Sequence, residues 1–181
     1  MKNYYTKMKL PEPLVPALQA LSLLKGQTAL VTGANSGIGR AIAVSLGRAG
    51  ANVVVNYVVK PEEAEAVVGE IQGGGGHATA IRADVGDEAQ VVAMFAEAVK
   101  AFGTVDILVS NAGMERNAPF HEMTTAQWDA VMNVNLRGAF LCAREAVREF
   151  LKRGVRPEVS VSAGKIIFTS SVHEVIPWAG H

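Results

Sequence analysis

The sequence predicts an α/β fold in which a parallel sheet is wound on both sides by helices. Three observations predict it. From Thr28 onward, short β-branched runs alternate with longer helical patterns, the signature of a parallel sheet with crossover helices. The first passage from strand to helix is a glycine-rich turn, Thr32 to Gly39. The composition is globular, with 181 residues, 49% hydrophobic and 19% charged, which excludes a disordered or fibrous chain.

The elements follow in order. A first strand runs from Thr28 to Thr32, and the helix after the turn carries Ile38, Ile42, Val44 and Leu46 as far as Gly50. A second strand spans Asn52 to Tyr57. Pro61 opens the next helix, with Glu62, Glu63 and Glu65 at the positive end of its dipole, and the glycines Gly73 to Gly76 end it. The third strand spans His77 to Asp84. Asp87 caps a helix with apolar positions Val91, Val92, Phe95, Val99 and Phe102, stopped by Gly103. A fourth strand covers Val105 to Ser110. Thr124 and Gln127 form a capping box before Trp128, Val131 and Met132, a long helix runs from Leu136 to Lys152, and a fifth strand spans Lys165 to Thr169. The expected strand order is 3-2-1-4-5, with ligand across the carboxyl ends of the strands. Residues 25–181 form this domain, and residues 1–24 form a tail with no assigned function.

Charge and cysteine usage narrow the partners. With 17 basic and 17 acidic side chains, no field draws in nucleic acid or an anionic membrane, and small molecules are the expected partners. No apolar run approaches the roughly 20 residues that span a bilayer. Leu14 to Leu24 is preceded and broken by Pro11, Glu12, Pro13 and Pro16, so no signal peptide is expected. Tyr4 and Tyr5 carry no motif. The one cysteine, Cys142, reads as a buried helix residue of a cytoplasmic protein. His77, His121, His173 and His181 lack metal-ligand spacing, so no metal is expected. Trp128 and Trp178 read as packing residues, and Glu115 as a solvated loop carboxylate.

The turn Thr32-Gly33-Ala34-Asn35-Ser36-Gly37-Ile38-Gly39 lies where small residues let a pyrophosphate approach backbone N–H groups at a helix N-terminus. Gly33 makes the tight turn, Gly37 admits the phosphates, Gly39 lets helix and strand pack, and Asn35, Ser36 and Ile38 join them as expected cofactor contacts. A purely structural turn is the alternative that the glycines alone leave open.

The Gly-x-x-x-Gly-x-Gly spacing resembles the short-chain dehydrogenase/reductase family, with its Rossmann-type fold. Further landmarks of that family follow in order. Asp84-Val85 resembles its adenine contact, Asn111-Ala112-Gly113 its cofactor-side loop, Asn135 its catalytic-helix asparagine, and Ser171 its catalytic serine. The likeness is closer still to the glucose 1-dehydrogenase branch, through Asn52 to Tyr57, His121-Glu122-Met123, and Ser170 to Glu174 with Ile176-Pro177-Trp178. It implies hydride transfer between a sugar hydroxyl and a nicotinamide cofactor, in a homo-oligomer. Ser171 would then bond the reacting oxygen, and Asn135 would hold a relay water. Another short-chain carbonyl or 3-oxoacyl reductase is the alternative within that family.

The resemblance also implies a tyrosine base, assisted by a lysine, thirteen positions beyond Ser171 and so past His181. Tyrosine needs such help because its free pKa is about 10. Tyr4, Tyr5 and Tyr57 do not stand in. The fold is therefore expected to be C-terminally incomplete, either as part of a longer enzyme or as a catalytically inactive truncated nucleotide-binding fragment. The edge from Ile166 to Phe168 is expected to invite pairing with another chain.

For the choice between NAD and NADP, a carboxylate about 20 residues past the glycines, at the expected cofactor contact with the ribose, would bind the ribose hydroxyls of NAD and repel a 2′-phosphate. Asn56 and Tyr57 stand there instead, and Lys60 or Arg40 is placed to reach a 2′-phosphate, so use of both is expected. Lys60→Ala is expected to shift preference away from NADP; unchanged NADP kinetics would remove Lys60 from that role.

Overall fold

In a computed structural model of the chain, residues 22–176 are described. Tyr4, Tyr5, Pro177, Trp178 and His181 lie outside them. The alternation produces one parallel sheet of five strands: β1 (Thr28–Val31), β2 (Asn52–Tyr57), β3 (His77–Arg82), β4 (Ile107–Ser110) and β5 (Lys165–Phe168). Their spatial order is β3-β2-β1-β4-β5, as the sequence predicts. The chain moves outward from β1 to β3, then crosses back to β4. That reversal opens a crevice between the ends of β1 and β4.

Five helices connect the strands: α1 (Gly37–Arg48), α2 (Pro61–Gly73), α3 (Glu88–Phe102), α4 (Thr125–Met132) and α5 (Ala139–Arg153). Their ends carry the expected signals. Pro61 is the first residue of α2, Asp87 accepts from the Gln90 amide at the start of α3, and Thr124 and Gln127 close a reciprocal box at α4. The long helix expected from Leu136 begins as α4 runs into α5 through a π-helical stretch, Asn133–Gly138. Asn133 and Gly138 keep right-handed helical backbone with no capping side chain between them, so the helix continues through a wider turn.

Strand residues alternate between two cores. Ala29, Val31, Val53, Val55, Ile107 and Val109 face α1 and α2, whereas Leu30, Val54 and Leu108 face α3 and α5. Leu30, Val31, Val53, Val54 and Val55 are 0% exposed, so both faces of the central strands are covered. Each such side chain contributes about 1.5–3 kcal/mol of burial. Leu24, placed in the tail by the sequence reading, packs against the first core and donates its amide to the Ala49 carbonyl at 2.9 Å. Three expected apolar helix positions do not pack, Val92 at 43% exposed among them. Ile38 is 66% exposed and Trp128 55%, because both project from helix starts toward clefts rather than toward the sheet.

Cys142 is buried in the second core on α5, and burial pushes its thiol up to about 12. At the end of the sheet away from the crevice, a buried carboxylate joins several elements. Asp106 accepts from the Thr28 amide at 2.8 Å and faces the guanidinium groups of Arg153 and Arg156, each at 3.0 Å. Lys165 of β5 bonds Gln27 and Ser160 beside it, both at 2.9 Å. Removing such a carboxylate strands the cations that face it. Asp106→Ala is expected to lower the free energy of unfolding by about 3 kcal/mol in urea denaturation. A loss under about 1 kcal/mol would show that solvent already compensates the two arginines.

Candidate active site

The turn after β1 is shaped by contact and by hydrogen bonds from below. Gly33 and Gly37 have φ of +59° and +54°, the left-handed region that glycine adopts without strain. A Cβ on Gly39 would lie 2.2 Å from the Gly33 carbonyl oxygen and 2.6 Å from Asn111 Nδ2, so only glycine lets α1 begin here. In front of Gly37 there is open space. The Ser36 side chain makes no capping bond, and the first turn of α1 contains no acidic residue. The amides at this helix start therefore point outward without an anion of the chain's own, which fits a bound pyrophosphate.

Three polar side chains hold the turn. Asn56 is 1% exposed; its Oδ1 accepts from the Gly33 amide at 3.2 Å, and its Nδ2 donates to the carbonyls of Ala83 and Ile81 at 3.0 and 3.3 Å. The sequence reading placed Asn56 against the cofactor ribose. Its amide faces inward instead, because three main-chain partners consume it. Asn111 Nδ2 donates to the carbonyls of Thr32 and Gly33 at 3.0 and 3.3 Å. Thr32, which the sequence reading did not single out, accepts at Oγ1 from the amides of Asn111 and Ala112 at 2.9 and 3.0 Å. Its position directly after an apolar strand was the available signal.

Above the crevice lies a cleft of about 1090 Å³. It gathers Ile38 from α1, Asn111, Ala112 and Gly113 after β4, Asn135 from the π-helical stretch, and Ser171 after β5. Asn135 pairs with the main chain of one residue in the facing loop: Met114 N–H donates to Oδ1 at 2.9 Å, and Nδ2 donates to the Met114 carbonyl at 3.0 Å. Ser171 Oγ accepts from the His173 amide at 3.2 Å, which leaves its own proton to donate. Ser170 donates to Glu174 in the same loop.

The remaining expected contacts stand apart from this cleft. Asp84 lies on a neighbouring hollow with Gly86, Asn133 and Arg137, its Oδ1 accepting from the Gly86 amide at 2.9 Å. The Val85 side chain is 3% exposed and packs where a Cβ on Gly138 would come within 2.6 Å, so only its backbone can serve a ligand. On the other side, Asn35 Nδ2 donates to the Val59 carbonyl and to Glu63, both at 3.4 Å, next to half-buried Tyr57. Lys60 has φ of +61° and pairs with Glu63 at 2.6 Å, and that carboxylate holds its ammonium above the usual lysine range. Arg40 is paired with Glu70 at 2.8 Å. Among the described residues, no group of three His, Cys, Asp or Glu side chains is placed to hold a metal ion, and no helix is long and apolar enough to cross a membrane.

Comparisons with known proteins agree with this geometry. The family model described as short chain dehydrogenase matches residues 27–181. The chain is 47% identical over 148 residues to the short chain dehydrogenase claC of Passalora fulva, covering 82% of this chain and 52% of that one. It is 50% identical over 131 residues to a short chain dehydrogenase of Claviceps purpurea (strain 20.1), covering 72% of this chain and 50% of that one. The chain thus spans about half the length of these curated relatives. Among solved structures, a short-chain type dehydrogenase/reductase from Mycobacterium marinum is similar with a TM-score of 0.79 at 34% identity, over 87% of this chain and 61% of that chain. With the match running through all five strands and the loops that border the cleft, the chain belongs to the short chain dehydrogenase family.

Proposed function

We propose that this chain forms the dinucleotide-binding part of an NAD(P)-dependent oxidoreductase that interconverts an alcohol and a carbonyl compound. The observation that carries this reading is the anion cradle at the start of α1, which opens beside the cleft that Ser171 and Asn135 share. Gly33, Ser36, Gly37 and Ile38 would hold the pyrophosphate, and Asn111 to Gly113 the nicotinamide side. A nicotinamide dinucleotide bound there supplies the acceptor or donor of the hydride.

The chain's own groups then have distinct tasks. Ser171 donates its hydroxyl proton to the substrate oxygen, polarising the carbonyl or orienting the alcohol. Asn135 fixes the loop after β4 against the helix; since its amide is committed to Met114, a relay water would meet its backbone. Asp84 and the Val85 backbone serve the adenine, and Tyr57 the adenosine side. A sugar hydroxyl is the substrate that the loop Ser170 to Glu174 favours by resemblance. A different carbonyl substrate is favoured by the apolar wall formed by Met114, Phe120 and Trp128 next to that loop.

Two variants test the reading. Gly37→Ala places a methyl group in the open cradle at a positive φ, a strain of about 1–2 kcal/mol. It is expected to weaken NADH binding at least tenfold in a fluorescence titration, while the far-ultraviolet spectrum stays native. Unchanged NADH affinity would refute the cradle. In the full-length enzyme, Ser171→Ala is expected to lower kcat far more than it changes cofactor affinity; equal losses would point to a structural role.

A further inference from the structure

Beside the main cleft, a more enclosed chamber of about 270 Å³ opens between the loop after β4, the start of α4 and the loop after β5. It shares Met114, Glu115 and Asn135 with the cleft, so the two spaces are continuous. Most of its wall is apolar, from Met114, Phe120, Met123, Trp128, Val131 and Met132, and Glu115, Arg116, Asn117, Asn135 and His173 complete it. Phe120 is 90% exposed and Trp128 55%, two aromatic side chains that line one concavity.

We propose that this chamber seats an apolar ring or branched alkyl group of the substrate, so that the compound reduced or oxidised is an apolar ketone or secondary alcohol and not a free sugar. The proposal rests on the oxidoreductase reading above and names its substrate class. Three arguments carry it. The volume lies just below the about 300–1,000 Å³ of whole ligand sites, as expected of a subsite for one ring rather than for a complete substrate. Three thioethers and two aromatic rings gain from covering apolar surface and adapt to its shape, whereas a pyranose carries hydroxyls around its whole rim, of which those turned away from Glu115, Arg116 and Asn117 would lie unpaired against this apolar wall. Finally, the chamber is continuous with the cleft that Ser171 lines, so a ring held in the chamber and joined by a short alkyl link would extend its carbonyl into that cleft.

Trp128 in the wall makes the test direct. In a Trp178→Phe background, Trp128 is the only tryptophan, and its emission is followed while 4-phenyl-2-butanone is added to the NADH-saturated protein. Saturable quenching by this ketone, with none from glucose at the same concentrations, is the expected result. Narrowing the chamber with Val131→Phe, or with Met123→Trp followed by displacement of a bound apolar dye, is expected to weaken the ketone at least tenfold, with thermal melts showing both variants folded. Glucose quenching as strong as the ketone's, no saturable quenching, or ketone affinity unmoved in a folded variant would overturn the proposal. NADH titration of the parent protein is the separate arm: binding of NADH without the ketone overturns the substrate class alone, while failure to bind NADH overturns the oxidoreductase reading.

Discussion

The turn that follows β1 is bonded from three directions, and the site depends on those bonds. Asn56 reaches it from β2, Asn111 from the end of β4, and the Thr32 hydroxyl ties it to the loop that carries Ala112 and Gly113. Backbone amides bind an anion only if they are aimed before it arrives. The asparagines do that aiming, and Gly39 lets the helix start close enough to share it. Leaving any of these buried or half-buried partners unpaired costs about 1–3 kcal/mol, which is why polar side chains stand among apolar strand neighbours.

The strands were legible because strands buried on both faces need continuous apolar runs, and Ala29 to Val31, Val53 to Val55 and Ile107 to Val109 supply them. Helix starts were legible for a similar local reason, since Asp87, Pro61 and Thr124 act on residues within one turn of themselves. What the sequence hid was long-range. Asn56 sits at the place where a ribose contact is expected, but its partners at Gly33, Ile81 and Ala83 are brought in by other strands. Asn135 read by resemblance as a catalytic-helix asparagine, and only the fold shows its side chain pairing with Met114 from a π-helical stretch. Trp128 read as core because its spacing is helical, and periodicity does not tell a sheet-facing side chain from one that faces a cleft.

The two ends of the sheet divide the work between stability and binding. At the amino ends of β1, β4 and β5, Asp106, Arg153, Arg156 and Lys165 lock elements that are far apart in sequence. At the carboxyl ends, the loops carry glycines, hydroxyls and exposed apolar rings. The first turn of α1 carries no carboxylate to compete with an anionic ligand, while Asp84 and Glu115 stand at the flanks of that end. Near the cradle itself, the flanking cations Arg40 and Lys60 are each already matched to a glutamate.

Cys142 gives the chain an unusual chemical quietness. Its thiol is 1% exposed and held protonated well above neutral pH, so electrophiles and mild oxidants find no thiolate in the folded protein. A single cysteine introduced into the loops around the cleft could therefore carry a spectroscopic label with no competing site on the native chain. Conversely, any thiol released from the unmodified protein would count molecules whose second core has opened.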